Sequence, residues 1–377
     1  MKLVFISSLS PQGHYSSYVT QGLNQIKDIQ LIVYADKNKS NLNEKHSGKV
    51  LLVWDKSFLY LHQIIKQLYK DKPNIVHLQQ ELNMFGGVLT VILFPFLLIA
   101  LRLMQIKTIV TIHSAVDTNQ INNNFVKLFH KNPKYFKPIF LKLVFHYLFK
   151  SISFFSDKII VHTNLTKNTL GNDYSVNLNK ILVIPHVIPS KHTSSISTKK
   201  YFFYFGYLVR RKGLENLING FKKYLTKNPK TDFKLILAGG TIPGQELARD
   251  EILKTIKNSN NKIIYKGFVN SKTLNHLYKQ AYCIVLPAHI SIAASGPLAH
   301  ARSHGKCVIA TQTGHLNEEI TNNKTGILTN NDFWDKAFET AVVNKSLIKK
   351  IEKQSIQLAQ LHSPYKTALR HYNEAYS

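Results

Sequence analysis

The stretch "YFFYFGYLVRRKGLENLINGF", Tyr201 to Phe221, decides how the chain is read. Five aromatic residues run into Gly206, followed by a basic loop and then Gly213. Beyond Gly213, Leu214, Leu217, Ile218 and Phe221 recur at the spacing of a helix with one buried face. A strand that feeds a helix through a glycine-bounded loop is the building unit of parallel α/β sheets. Backbone N–H groups at such a helix start, beside Arg210, Arg211 and Lys212, suit a diphosphate. In a chain this cationic, the same triplet also reads as a solvated basic loop.

The unit repeats along the chain. Strand-like runs precede it at Lys2–Ser7, Gln30–Tyr34, Val50–Trp54, Asn74–Gln80, Lys107–Ser114, Lys158–His162 and Lys180–Pro185. The alternation restarts at Tyr201–Phe205 and continues at Phe233–Ala238, Lys262–Tyr265, Tyr282–Pro287, Cys307–Thr311 and Gly326–Leu328. Between the two series, "VIPSKHTSSISTKK" (Val187–Lys200) has little apolar pattern and reads as a linker. The expectation is two Rossmann-like, doubly wound domains, 1–190 and 191–362, facing a cleft at the carboxyl ends of their strands. A chain of 377 residues is long enough for two cores.

The net charge is +28, which points to nucleic acid, anionic lipid or phosphorylated small molecules as partners. The lysines are scattered among Asn, Ile and Phe, with no zinc spacing or nucleic-acid motif, which weighs against nucleic acid. Cys283 and Cys307 lie in apolar strand-like runs, as buried free thiols in a reducing cytoplasm would. The opening "MKLVFISSLS" turns polar too soon for a signal peptide.

Two segments suggest a membrane. Leu82–Leu101, "LNMFGGVLTVILFPFLLIAL", is uncharged and nearly long enough to span a bilayer. It lies between two strand-like runs, so we expect a buried or interface-lying helix kinked near Pro95. From Asn119 to Ser156 there is no acidic residue, while Lys127, Lys131, Lys134, Lys137, Lys142 and Lys150 alternate with aromatics. Such an element lies well on an anionic membrane surface; a core helix with outward-reaching lysines has the same pattern.

Four blocks now fall in order: "YFFYFGYLVRRKG", "IIYKGFVNSKTLNHLYKQAYCIVLPA", "GKCVIATQTGHLNEEITNNKTGILTNND" and, earlier, "NIVHLQQELNMFGG" with "VTIHS". Together they resemble the family-4 retaining glycosyltransferases of GT-B fold over most of the chain. The resemblance implies that the second domain holds a nucleotide-sugar, the first an acceptor, and that a last helix (363–377) crosses back to the first. It makes Lys212-Gly213 the family's Lys-Gly, with Tyr207 in place of the usual Arg. His113 becomes the active-site histidine near the donor sugar, with His162 similarly placed, and Gly13 lies in the loop that approaches the donor phosphate. The Ser295-Gly296-Pro297-Leu298 backbone would face the phosphates, or form a structural loop, and Glu318 would be the Glu of the last block or a helix cap.

Two family carboxylates are missing. Ile292 and His300 stand where the family carries the Glu residues that hold the sugar and the ribose. His300 can still hydrogen-bond a ribose hydroxyl; Ile292 cannot. The resemblance therefore implies a metal-independent hexosyl-type glycosyltransferase that needs no cofactor. It would move a sugar from a nucleotide-sugar donor to a membrane-linked or cell-surface glycan, and the basic-aromatic run leads us to expect it in the cytoplasm at the inner face of the membrane. The alternative is a degenerate homologue acting as a binding or partner subunit.

Overall fold

The computed structural model describes residues 1–8, 14–37, 48–81, 84–86, 88–129, 137–189, 200–242, 245–256, 259 and 261–377. Gly13, Lys131, Lys134 and most of the expected linker (190–199) lie outside them. Contacts divide the chain into two compact units. One comprises the described residues of Met1–Val126, Lys134–Val187 and His362–Ser377, the other those of Ile188–Leu361 with Lys127–Pro133.

The first unit runs β1 (Lys2–Ile6), α1 (His14–Leu23), β2 (Gln30–Asp36), β3 (Lys49–Trp54), α2 (Tyr60–Asp71) and β4 (Ile75–Gln80). It continues through α3 (Val88–Val91), α4 (Phe94–Leu103), β5 (Lys107–Ile112), α5 (Asn123–Phe129), α6 (Pro138–Phe155), β6 (Lys158–Val161), α7 (Asn164–Tyr174) and β7 (Ile181–Val183). Its seven strands pair in the order β3-β2-β1-β4-β5-β6-β7, all parallel. Helices flank the sheet, so its strands are nearly continuous apolar runs: Leu3, Val4, Phe5 and Ile6 of β1 are all fully buried.

The second unit runs β8 (Tyr201–Phe205), α8 (Leu214–Lys227), β9 (Lys234–Ala238), α9 (Glu246–Ile256), β10 (Ile263–Tyr265), α10 (Ser271–Gln280) and β11 (Cys283–Leu286). Then come α11 (Gly296–Ser303), β12 (Cys307–Thr311), α12 (Gly314–Glu319), β13 (Ile327–Thr329), α13 (Trp334–Val343) and α14 (Lys345–Leu361). Its six parallel strands lie in the order β10-β9-β8-β11-β12-β13. Cys283 and Cys307 are free, buried and directly paired across β11 and β12.

The last segment, α15 (Pro364–His371) and a π-helical turn at Tyr372–Tyr376, belongs to the first unit. There α15 crosses α1 so closely that a Cβ on Gly22 would stand 2.0 Å from the Pro364 carbonyl oxygen. Ala368, Ala375 and Tyr376 enter the same apolar core as Leu3, Phe5 and Val19.

The apolar segment Leu82–Leu101 is not one kinked helix. It holds two helices, and the break falls before Pro95, which sits in the first turn of α4. Proline lacks the N–H that a helix interior needs and is tolerated where a helix begins. Because β4 and β5 pair over six positions on either side of it, the segment returns to the sheet it left. Among the described residues, the helix long and apolar enough to cross a membrane, by length and composition, is instead α6. It too lies between paired strands, β5 and β6. One of its faces, with Leu141, Phe145, Leu148 and Ile152, is buried.

Candidate active site

In doubly wound sheets, ligands bind at the carboxyl ends of the strands where the order reverses. In the second unit that point lies between β8 and β11. The loop after β8 ends in a 3-10 turn, Arg210–Lys212, and the loop after β11 leads to Ser295, the N-cap of α11. The two loops are stitched together: His289 N–H donates to the Arg211 carbonyl at 3.0 Å. Gly213 has φ 61°, and a Cβ there would stand 2.5 Å from the Pro287 carbonyl oxygen. Only glycine meets both demands. On the other side Gly314, φ 44°, lets α12 approach Ser291, whose carbonyl accepts from His315 Nδ1 at 2.8 Å.

The three basic residues differ. Arg210 is exposed and forks onto Glu251 of α9 at 3.0 and 3.1 Å. Exposed pairs of this kind contribute about 0–1 kcal/mol, so a phosphate could take the guanidinium over at small cost. Arg211 and Lys212 are half-buried. Lys212 has no carboxylate partner among the described residues. Burial first, and Arg211 second, lower its pKa to about 8.

At the start of α11, Ser295 N–H donates to Glu319 Oε2 at 3.0 Å, and Leu298 N–H to Ser295 Oγ at 3.3 Å. Pro297 has no N–H. Of the Ser295–Leu298 amides, this leaves Gly296 N–H as the donor without an acceptor among the described residues, and a Cβ on Gly296 would meet nothing within 4 Å. Burial, foremost, raises the Glu319 carboxyl to about 7, against the opposing pull of Arg302 and the Ser295 N–H. Arg302, itself buried, donates to the Glu319 carbonyl. His300 stacks on Tyr278 of α10, centroids 5.8 Å apart.

In the first unit, the carboxyl ends of β5, β6 and β7 gather a cluster of histidines under Tyr15 of α1. Tyr15 packs its ring against His113, His162 and His186 at 4.9, 4.8 and 5.0 Å. Both ring nitrogens of His113 are engaged, Nε2 with Gln79 Oε1 at 2.9 Å and Nδ1 with His162 Nε2 at 3.3 Å. Desolvation drives His113 down to about 3 and His186 to about 4. These imidazoles are neutral at physiological pH. Among the described residues no group of three or more His, Cys, Asp or Glu could hold a metal.

Two family models match. Residues 9–191 match Glycosyltransferase Family 4, and residues 199–345 match Glycosyl transferases group 1. Both halves of the chain are glycosyltransferase domains. An uncharacterized glycosyltransferase of Methanocaldococcus jannaschii is 31% identical over 129 residues, 34% of this chain and 31% of that protein's length. The match therefore spans about a third of that relative. Among solved structures, HepE of Anabaena, in complex with UDP and glucose, superposes with TM-score 0.73, 15% identity and 98% of both chains covered. A glycosyltransferase from Rickettsia africae (TM-score 0.71, 18% identity) covers 100% of this chain and 97% of its own. Sucrose-phosphate synthase of Thermosynechococcus elongatus (TM-score 0.71, 16%) covers 98% and 97%. At these identities the likeness is one of fold, and the fold is GT-B.

In these glycosyltransferase domains, the switch point of the second unit brings together the β8 loop with Arg210, Arg211 and Lys212 and the β11 loop with Ser295, Gly296 and Leu298. The backbone expectation narrows, because the Ser295 N–H is taken by Glu319 of α12 and the Leu298 N–H by the Ser295 hydroxyl. Glu318 is exposed on α12; its neighbour Glu319 is the carboxyl that reaches the Ser295 loop. Sequence reasoning missed Glu319, and the one signal for it was the Glu-Glu pair itself. Gln79 and Tyr15, which hold His113, were also missed; Gln79 was legible only as the residue two positions after His77 on the same face of β4.

Proposed function

We propose that the chain transfers a hexosyl-type sugar from a nucleotide-sugar to a membrane-linked or cell-surface glycan, with retention and without a metal ion. The observation that carries this reading is Lys212: a desolvated lysine without a carboxylate partner among the described residues, at the strand switch point of a glycosyltransferase domain. Retaining a bare ammonium there is costly unless an anion completes it. A diphosphate leaving group supplies that anion, and Lys212, Arg211 and the Gly296 N–H offset its charge as it develops. HepE was solved with UDP-glucose, so uridine diphosphate sugars are the first donors to try.

The acceptor side rests on α6. Ile139, Leu143, Tyr147 and Phe154 lie exposed along one stripe, at 60%, 62%, 43% and 78%. Exposed Lys150 stands in the same stripe, with exposed Lys137 preceding the helix. Apolar side chains flanked by cations, on a chain of net charge +28, suit the anionic inner face of a cell membrane. The test is transfer from UDP-, GDP- and ADP-sugars to lipid-linked glycans, with EDTA present and absent and the product's anomeric configuration read by NMR. Retained configuration and EDTA-resistant turnover are expected. Nucleotide binding without turnover on any donor would turn the reading into that of a binding subunit; no nucleotide binding at all would overturn it.

A further inference from the structure

The hydrogen bonds around His113 fix where its proton sits. His162 Nδ1 is 2.9 Å from the Ile184 carbonyl, which can only accept, so Nδ1 carries the hydrogen and neutral His162 has a bare Nε2. That Nε2 faces His113 Nδ1 at 3.3 Å. On the far side, His113 Nε2 meets one end of the Gln79 amide at 2.9 Å, and the other end lies 3.1 Å from His77 Nε2. His77 Nε2 also lies 2.7 Å from Thr111 Oγ1, and its Nδ1 2.6 Å from the Tyr376 hydroxyl. Gln79, His77 and Thr111 are all fully buried.

Two proton arrangements satisfy this chain, and they differ by half a turn of one amide. With the Gln79 oxygen toward His113, His113 donates from Nε2. Its Nδ1 is then bare against the bare Nε2 of His162, two lone pairs face each other, and the pair needs an extra proton. With the Gln79 N–H toward His113, every ring is neutral. His113 donates from Nδ1 to His162, Gln79 donates to His113 Nε2, His77 donates from Nε2 to Gln79 and Thr111, and the Tyr376 hydroxyl donates to His77 Nδ1.

We infer that Gln79 is a positioning residue that holds neutral His113 as its Nδ1–H tautomer, with Nε2 the accepting nitrogen, and that uptake of one proton by the His113–His162 pair is matched by a half-turn of the Gln79 amide. Among the described residues, the groups facing this network are His77, His186, His371, Tyr15 and Tyr376, and no carboxylate or lysine hydrogen-bonds to its imidazoles. Burial, which depresses His77, His113 and His162, favours the neutral arrangement at physiological pH. A ligand hydroxyl that displaces Gln79 from His113 would meet an acceptor. That consequence rests on the transfer reading above, whereas the tautomer does not.

The experiment is ¹⁵N-histidine NMR of the full chain without any donor, with His113 assigned by loss of its signals in His113→Gln. Near neutral pH the His113 Nδ1 should show the shift of a protonated nitrogen and Nε2 that of a bare one. Gln79→Glu replaces the donor by a carboxylate that can only accept. It should move His113 to the Nε2–H form and raise the pH at which the pair protonates by about one to three pH units. An Nε2–H or doubly protonated His113 in the unaltered protein, or a Gln79→Glu variant that leaves the tautomer unchanged, overturns the inference. If Gln79→Glu does not fold, the unaltered protein alone decides. Because no sugar donor enters, failure here and failure of the transfer reading are separate results.

Discussion

Lys212 and Glu319 lie in one unit, and burial moves both toward neutrality from opposite sides. Lys212 binds phosphate only while protonated, and its lowered pKa means that the charge is lost as pH rises through about 8. Nucleoside diphosphate affinity is therefore expected to be flat below that point and to fall about tenfold per pH unit above it. Titration calorimetry across that range checks it. Lys212→Ala should weaken binding at least tenfold, about 1.4 kcal/mol, and Lys212→Arg should abolish the falling limb. For Glu319 the sign is reversed. Its folded pKa lies above the unfolded one, so below about pH 4 both states are protonated and nothing is lost, whereas ionisation destabilises the fold as pH rises through about 7. Glu319→Gln should then melt higher than the unaltered protein at alkaline pH and no higher at acid pH. Thermal denaturation at the two pH values decides the matter. Lys212 was legible because a basic triplet before a glycine is visible in one dimension. Glu319 was not, because α12 is only six residues long and too short for its periodicity to show which of two adjacent acids turns inward.

At the scale of elements, the order of strands and loops was open to sequence reading, since parallel strands buried on both faces announce themselves as apolar runs. What the apolar runs do between strands was not. Composition marked both Leu82–Leu101 and the basic-aromatic run that holds α6; the strand register on either side tied the first to the sheet, while exposed apolar side chains line one stripe of α6. Replacing Leu143 and Phe154 by Glu should lower sedimentation with vesicles of anionic phospholipid and leave thermal stability nearly unchanged, because both side chains are exposed. Equal sedimentation would assign that stripe another role. Two glycines give a second contrast. An added methyl group at Gly213 meets both a left-handed backbone and the Pro287 carbonyl, so Gly213→Ala should lower the melting temperature by several degrees. A Cβ at Gly296 meets nothing within 4 Å, so Gly296→Ala should leave melting nearly unchanged while weakening nucleotide binding, which differential scanning fluorimetry with and without UDP would read.

At the scale of the whole molecule, the two sheets are self-contained, but the chain that builds them is not laid out one unit after the other. The first unit takes Ala368, Ala375 and Tyr376 into its core, and the Tyr376 hydroxyl reaches His77 at its centre. Removing residues 364–377 should therefore destabilise the first unit selectively, with hydrogen exchange in β1, β4 and β5 rising before that in β8 to β12. This discontinuity bears on how the protein is made. A ribosome releases the polypeptide from its beginning, and His362 follows Val187 by about 175 positions. At about 5–20 residues per second, roughly 9 to 35 s separate synthesis of the first sheet from arrival of the helix that closes it. For that interval, while the second unit is being made, the nascent chain carries an unsealed core, so the half that is begun first cannot be finished first.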